Sequence, residues 1–403
     1  MLVALFAAFP VSLALGNVLM TLVLVLWLIS GHWRERWASW RGNPVAWIAA
    51  ALYLWMLLGV LYTPAPWADV QQHLQKYFKL LFMLVVISLM TSDEWRRRAL
   101  WAYAAALMFI LISTYFNIWW QLPWSRTQNQ GWGQDHTVVK DYIAQGLLMS
   151  MAVLLALGGA MYRGWSKWSR SVCLVLACAG LLSITHLSAG RTGYLCVLAV
   201  LGAFALFAVG GRVRLWLLAS VFVISAGLYL SSSAMQERVA QAVAEARSHD
   251  SGNLELTSIG QRMYFAEKTW GLIQERPWLG WGTGAYHEQF CRVADTETWC
   301  EAGRFHPHNQ FLFIWVEHGV VGLALLLALM AAPLYAVFNQ TGPRAIVYAG
   351  FSGLFVVGSM THGSLWLSTE SHLFTLMGAL LASAPWSQQS CSQGRPACGL
   401  GKR

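Results

Sequence analysis

Two histidines flank a proline in His306-Pro307-His308-Asn309-Gln310, where a long apolar run begins. Proline suits the first turn of a helix, so the pattern places His308 at a helix N-terminus. The dipole there disfavours imidazolium and leaves a neutral ring able to accept a proton. A second group, Ser188-Ala189-Gly190-Arg191-Thr192-Gly193-Tyr194, opens another apolar run. If Ser188 or Gly190 begins that helix, free backbone N–H groups, the dipole and the Arg191 charge converge on an anion site. The competing role for Arg191 is snorkelling to lipid headgroups. A third group rides on Ile259, Met263, Ala266, Trp270 and Ile273, whose spacings of 4, 3, 4 and 3 make one helix face, stopped by Pro277. It carries Gln261, Arg262, Tyr264 and Lys268, with Arg262 near the edge of the apolar face, able to reach toward a membrane or to stay solvated.

Other ionisable residues have narrower readings. Lys76 and Lys79 share a helix face and serve as phosphate contacts or as snorkelling cations. Glu317 and His318 lie deeper in their run, and Glu317 is expected to pair with a polar group inside the protein. A metal at His306 and His308 lacks a completing carboxylate pattern, so none is expected. There is no Asp-x-Asp for a divalent-metal diphosphate site. Gly280-x-Gly282-x-Gly284 lacks the strand context of a dinucleotide fold and the Lys-Ser/Thr of a P-loop, and reads as a turn. What remains is group transfer from a substrate that arrives already activated. Two or three cations would hold an anionic leaving group, and one neutral His would deprotonate the acceptor.

The elements that must position these residues are membrane spans. Of 403 residues, 57% are hydrophobic and 11% charged, against about 25% charged in an ordinary soluble domain. That balance excludes disorder, a water-soluble enzyme and a nucleic-acid-binding domain. Runs of roughly 20 apolar residues cross a bilayer. Eleven are visible: 17–30, 44–62, 77–91, 98–119, 142–162, 171–186, 191–209, 213–231, 309–337, 344–361 and 366–384. Pro10 and Gly16-Asn17 break residues 2–30 into a tight hairpin of two spans, one long tilted helix being the alternative. The expected fold is an all-α polytopic membrane protein of about twelve transmembrane helices.

Charge sets the orientation. Alternate connections hold Arg34, Arg36, Arg41, Arg96 to Arg98, Arg163, Lys167, Arg170, Arg212, Arg214, Arg344, Arg395, Lys402 and Arg403, against Glu35, Asp93 and Glu94. The positive-inside rule puts this side, with both termini, in the cytoplasm. The net charge of +9 is thus an orientation signal and needs no nucleic-acid partner. Residues 1–231 hold nine spans, 232–308 a large, partly helical outer loop, 309–384 three spans and 385–403 a cytoplasmic tail. In the outer loop Cys291 and Cys300 are expected to form a disulfide or to remain two free thiols.

Three segments together resemble the bacterial O-antigen ligases, within the O-antigen ligase/polymerase superfamily. They are Ser188 to Tyr194, Arg262 through Gly284, and Pro307-His308-Asn309-x-x-Leu312 continuing to Glu317-His318-Gly319. Lys76-Tyr-x-Lys79 and Lys140-Asp141-Tyr142 add to the likeness. The resemblance implies a C-type membrane glycosyltransferase in the bacterial inner membrane, its site facing the periplasm. It implies an undecaprenyl-pyrophosphate-linked glycan as donor and lipid A–core as acceptor, among membrane lipids, with inversion and without metal, nucleotide or other cofactor. Carried onto this chain, His308 is the general base and Arg191 and Arg262 hold the pyrophosphate. Lys79, His306, Asn309 and Tyr264 are further substrate-binding candidates. Rivals are a polymerase or a protein-directed transferase on the same donor, and more distantly a secondary transporter.

Overall fold

The computed structural model describes residues 1–250 and 257–383. The expected cytoplasmic tail at 385–403 lies outside the described residues. Eighteen helices follow in order: α1 (Leu2–Ala8), α2 (Leu13–Ile29), α3 (Trp33–Arg41), α4 (Pro44–Gly59), α5 (Trp67–Tyr77), α6 (Lys79–Leu89), α7 (Asp93–Phe116), α8 (Tyr142–Met161), α9 (Lys167–His186), α10 (Arg191–Phe207), α11 (Val213–Ser231), α12 (Ser233–Asp250), α13 (Ser258–Glu275), α14 (Tyr286–Val293), α15 (Glu297–Ala302), α16 (Gln310–Tyr335), α17 (Pro343–Thr361) and α18 (Ser368–Ala382). Among the described residues there is no strand. The protein is an all-helical polytopic membrane protein.

Local chemistry starts these helices. Ser12, Asn43, Ser92, Asp141, Ser166, Thr257, Thr296 and Asn309 each cap a helix N-terminus with a side-chain oxygen. All eleven apolar runs contain one helix. Among the described residues, six helices (α7, α8, α9, α11, α16 and α17) are long and apolar enough to cross a membrane alone, or seven when α2 and α3 count as one bent span. The expected twelve is therefore not reached by length and composition. The shortfall is clearest at the N-terminus, where α1 has seven residues and is about 10 Å long, a third of a bilayer core. It cannot be the first arm of a two-span hairpin. Instead it is packed inward, and Phe9 stacks on Tyr103 of α7 with ring centres 5.3 Å apart.

Burial orders the rest. α8 is 72% buried and central, whereas α11 buries no residue and turns its whole surface outward. Gly146 of α8 meets Gly193 of α10 so closely that a Cβ on Gly146 would lie 3.2 Å from the Gly193 Cα. Small residues let membrane helices approach in this way, and here the contact fixes the start of α10. On the basic face, α3 turns 113° away from α2. Its buried Arg36 lies 4.0 Å above the Trp27 ring and donates to the Trp27 carbonyl at 2.5 Å. The large loop between α11 and α16 lies on the other face, called the loop face below.

One break needs its own account. α16 kinks at Gly319 (φ 63°, ψ −167°), releasing backbone groups inside the protein. Such groups need partners at membrane depth. The glycine-rich turn supplies them: Trp281 N–H donates to the Val316 carbonyl at 2.9 Å and Gly282 N–H to the Glu317 carbonyl at 2.8 Å. Val320 N–H donates back to the Pro277 carbonyl at 3.0 Å. Gly280, Gly282 and Gly284 all have positive φ, and a Cβ on Gly280 would lie 2.5 Å from Glu317 backbone atoms. The turn expected from the glycines is thus a clasp on α16.

Candidate active site at the loop face

Arg191 is the first residue of α10, behind the Gly190 cap. Its guanidinium forks onto Glu245 of α12, with Nη2 2.8 Å from Oε1 and Nη1 3.0 Å from Oε2. Glu245 Oε2 also accepts the Ile259 N–H at the start of α13, at 2.9 Å. These bonds, the Arg191 fork first, hold the Glu245 carboxyl below its usual range. Arg262, one turn into α13, gives Nη1 to the Ser258 hydroxyl (2.6 Å) and carbonyl (3.0 Å). Its buried Nε has no partner among the described residues. The two arginines and the α13 N-terminus thus surround one carboxylate, an arrangement suited to phosphoryl oxygens.

Beside them lie three imidazoles. Pro307 is not in the first turn of α16, contrary to expectation: the helix begins at Gln310, with Asn309 as cap. His308 is one residue outside that cap, in the left-handed region at φ 53°. This turn presses its N–H onto His306 Nδ1 (3.1 Å) and its Nδ1 against Nδ1 of His362 (3.2 Å). The His308 ring lies parallel to Phe265 of α13, centres 5.8 Å apart. Burial first, then the nearby Arg262 charge, holds His308 at about 4. His306 is held at about 3 by burial, then by His308, Lys140, Lys76 and Arg262. Burial, then the other two rings, keeps His362 well below its usual value. All three rings are neutral at ordinary pH, because of burial among cations rather than the helix dipole alone.

His362 follows α17, 54 residues from His308, and Gln310 brings it there. The Gln310 amide oxygen accepts the Leu365 N–H at 2.8 Å while its nitrogen donates to the Tyr77 hydroxyl at 2.9 Å, pinning the 362–367 turn to α16. The three rings offer nitrogens within 4.8 Å of one another, a spacing open to a metal ion. The field argues otherwise, since Arg262, Lys76 and Lys140 bear on the cluster and no carboxylate belongs to it. The other ligand-like group, His287, Cys291 and Cys300, has its thiols joined in a disulfide across a Cα–Cα distance of 4.6 Å.

The remaining candidates divide. Lys79, 7% exposed, opens α6 next to Lys76 and makes no hydrogen bond among the described residues. Lys76 sits 5.6 Å from the Trp366 ring centre. Asn309 spends its side-chain oxygen on the Phe311 and Leu312 N–H groups, so only its amide nitrogen could meet a substrate. Tyr264 has a structural partner set of its own. It is 1% exposed, stacks on Trp299 at 4.1 Å and accepts the Asp295 N–H at 2.8 Å. Its hydroxyl is spent on holding the loop together. Glu317 pairs as expected, with His73 Nε2 at 3.1 Å and the Tyr286 N–H at 3.1 Å.

Glu245, His362 and Glu370 were not among the residues singled out from the sequence. His362 and Glu370 flank the last connection, ionisable residues at a span boundary, which was signal enough to flag them. Glu245 lies in a polar helix where one acid among several carries no mark of its own.

Residues 176–327 match the family model described as O-antigen ligase. This segment contains Arg191, Glu245, Arg262, His306 and His308, but not Lys79 or His362. An O-antigen ligase of Salmonella typhimurium is 31% identical over 103 residues, covering 22% of this chain and 25% of that protein. A Rickettsia conorii protein provisionally named a polysaccharide ligase is 27% identical over 135 residues, 31% of this chain and 32% of that one. The chain thus spans a quarter to a third of the length of these curated relatives. The segment that carries Arg191, Arg262, His306 and His308 is the part of the chain that is similar to the O-antigen ligases.

Proposed function

We propose that this protein transfers a polysaccharide from undecaprenyl pyrophosphate to lipid A–core at the periplasmic face of the inner membrane, with inversion and without metal or nucleotide. One observation carries the reading: a two-arginine anion site stands next to an imidazole cluster kept neutral. The first would hold a pyrophosphate, the second would accept a proton.

In the proposed step, Arg191 and Arg262 take the pyrophosphate, which replaces Glu245 on the Arg191 fork. His308 removes the proton from the acceptor hydroxyl. The acceptor oxygen bonds to the anomeric carbon as the bond from that carbon to the pyrophosphate oxygen breaks. Undecaprenyl pyrophosphate departs with the electron pair. The ring contact limits the tautomer: two Nδ1 atoms 3.2 Å apart share one hydrogen. If His308 donates it, His308 Nε2 has a free lone pair and can act as base; if His362 donates it, Nε2 carries hydrogen and cannot. The mechanism therefore requires His308 to donate and His362 to accept. A base held at about 4 is weak. The bound anion would offset the Arg262 charge and raise it toward the working range.

The test is a reconstitution in detergent with glycan-loaded undecaprenyl pyrophosphate, lipid A–core, chelator and no ATP. The expected product is a glycan ladder on lipid A–core, absent with His308→Ala. Longer chains on the undecaprenyl carrier, with none on lipid A–core, would make the protein a polymerase.

A further inference from the structure

A cavity of about 490 Å³ opens at the loop face, away from the arginine pair. Val11, Phe109, Trp124 and Val139 give it apolar walls, and Arg126 and Lys140 stand in its lining. None of the lining residues belongs to α10, α12 or α13. Trp124 and Phe109, ring centres 6.1 Å apart, are 54% and 40% exposed, so the apolar side faces outward. The polar side is built rather than loose. Arg126 N–H donates to the Val138 carbonyl at 3.0 Å and Thr127 N–H to the Thr137 carbonyl at 2.9 Å, pinning the connection as a short paired stretch. The Arg126 guanidinium itself has no partner among the described residues. Lys140 adopts φ 42°, a costly left-handed conformation for a residue with a side chain, and reaches Glu370 at 2.8 Å. Its charge also bears on His306. Lys140 therefore links the cavity to the imidazole cluster.

An unpaired guanidinium and an ammonium above apolar walls fit a phosphate carried on an acylated lipid. We propose that this cavity binds the acceptor, holding a phosphate of the glycolipid on Arg126 and Lys140 with its lipid portion against Trp124 and Phe109. The proposal rests on the ligase reading for the identity of the lipid, and it deepens that reading by assigning a place to the second substrate. The donor occupies Arg191 and Arg262. The acceptor enters by way of α7 and the 117–141 connection, at a cavity whose Lys140 charge reaches His306.

Binding can be read without transfer. The purified full chain in phosphatidylcholine nanodiscs is given lipid A–core with or without its lipid A phosphates, and no donor, and retained lipid is counted by native mass spectrometry. The phosphorylated form should be retained about tenfold better, with the advantage lost in Arg126→Glu and kept in Arg126→Lys. Equal retention of the two forms would overturn the proposal. So would displacement by phosphatidylglycerol at equal mole fraction, which would make the cavity a site for bulk anionic lipid. In transfer assays Arg126→Glu should raise the acceptor KM about tenfold while the donor KM stays as in wild type. An unchanged acceptor KM would also overturn it. A wild-type chain that retains the phosphorylated lipid yet transfers nothing would break the ligase reading and leave the cavity's phosphate recognition standing.

Discussion

Two clusters of ionisable residues sit at the loop face, and they are opposites. Around Glu317 the carboxylate and the freed backbone are matched, although the neighbouring His318 ring has no hydrogen bond among the described residues: His73 and the Tyr286 N–H take the carboxylate, and the clasp from Trp281 and Gly282 takes the backbone freed at Gly319. Around Arg191 and Arg262 the donors outnumber the acceptors. One carboxylate serves Arg191 and the α13 N-terminus, while Arg262 Nε stays unmatched. Both clusters satisfy the rule that ionisable residues at or inside a membrane are there for a reason. Only the accounting of donors and acceptors separates a strut from a site. A matched cluster holds the fold and has nothing left for a ligand; an unmatched one spends part of its stability on waiting.

The largest expected effects should therefore separate by kind. His308→Ala should reduce transfer by about 10²–10⁴-fold while the protein extracts and melts as wild type. Glu317→Ala should lose transfer through folding, because it orphans His73 and the Tyr286 N–H at a cost of about 3 kcal/mol. Glu317→Gln, which keeps an acceptor, should recover much of that stability. Thermal melts alongside the reconstitution distinguish them. A His308→Ala protein that melts early with residual transfer, or a Glu317→Ala protein that is stable and inactive, would reverse the assignment of strut and site.

Removing either arginine should come next, at about 100-fold in kcat/KM. Arg262→Ala should also remove a positive charge that holds His308 down, so the acid limb of any residual activity should move to higher pH. In wild type the neutral ring is the active form, so kcat/KM should fall only as pH drops toward about 4. The limb of kcat, measured with donor bound, should lie higher because the pyrophosphate opposes Arg262. Coincident limbs in the two profiles would argue against contact between His308 and the donor's charge.

His362 tests whether the imidazole cluster is one unit. His362→Ala should lower kcat by about tenfold with little change in either KM, since it removes the acceptor that fixes the His308 tautomer and nothing that touches the leaving group. His362→Gln, which still offers an acceptor oxygen, should restore part of it.

How far the sequence reaches follows the same division. Every apolar run became a helix because period and hydrophobicity are local properties, as are the caps at Ser92, Asp141 and Asn309. Locality also explains the failures. The sequence pattern makes Pro307 a first-turn proline, but the Asn309 cap starts the helix later and throws His308 into a left-handed turn. Tyr264 shares a helix with Arg262 but points into the Phe265, Phe290 and Trp299 cluster, a direction set by packing within the loop. His362 meets His308 across 54 residues only because Gln310 binds Tyr77 on one side and Leu365 on the other. No spacing in the chain announces a contact made by three helices. α1 failed for a different reason: its apolar residues face protein rather than lipid, which composition cannot distinguish.

The smallest effect is the most diagnostic of an unmatched cluster. If Glu245 fills the place of the donor's phosphate, Glu245→Gln should weaken the protein and improve its grip on donor at once. The Arg191–Glu245 pair is partly exposed, with side chains 21% and 19% accessible, so its contribution is modest, about 1 kcal/mol. Freeing Arg191 of that competitor should lower the donor KM by about fivefold. The pH dependence gives the sign. The Glu245 carboxyl is held below its unfolded value, chiefly by Arg191, so its stabilisation is present above the unfolded carboxylate pKa. It is lost as pH falls through the lower folded value. The melting gap between wild type and Glu245→Gln should therefore be open at neutral pH and close in acid. A gap that persists in acid would mean that Glu245 acts through packing of α12 rather than charge. A donor KM that rises on substitution would mean that the carboxylate aims Arg191 at the phosphate instead of standing in its place, and would move this end of the arginine pair from the unmatched class to the matched one.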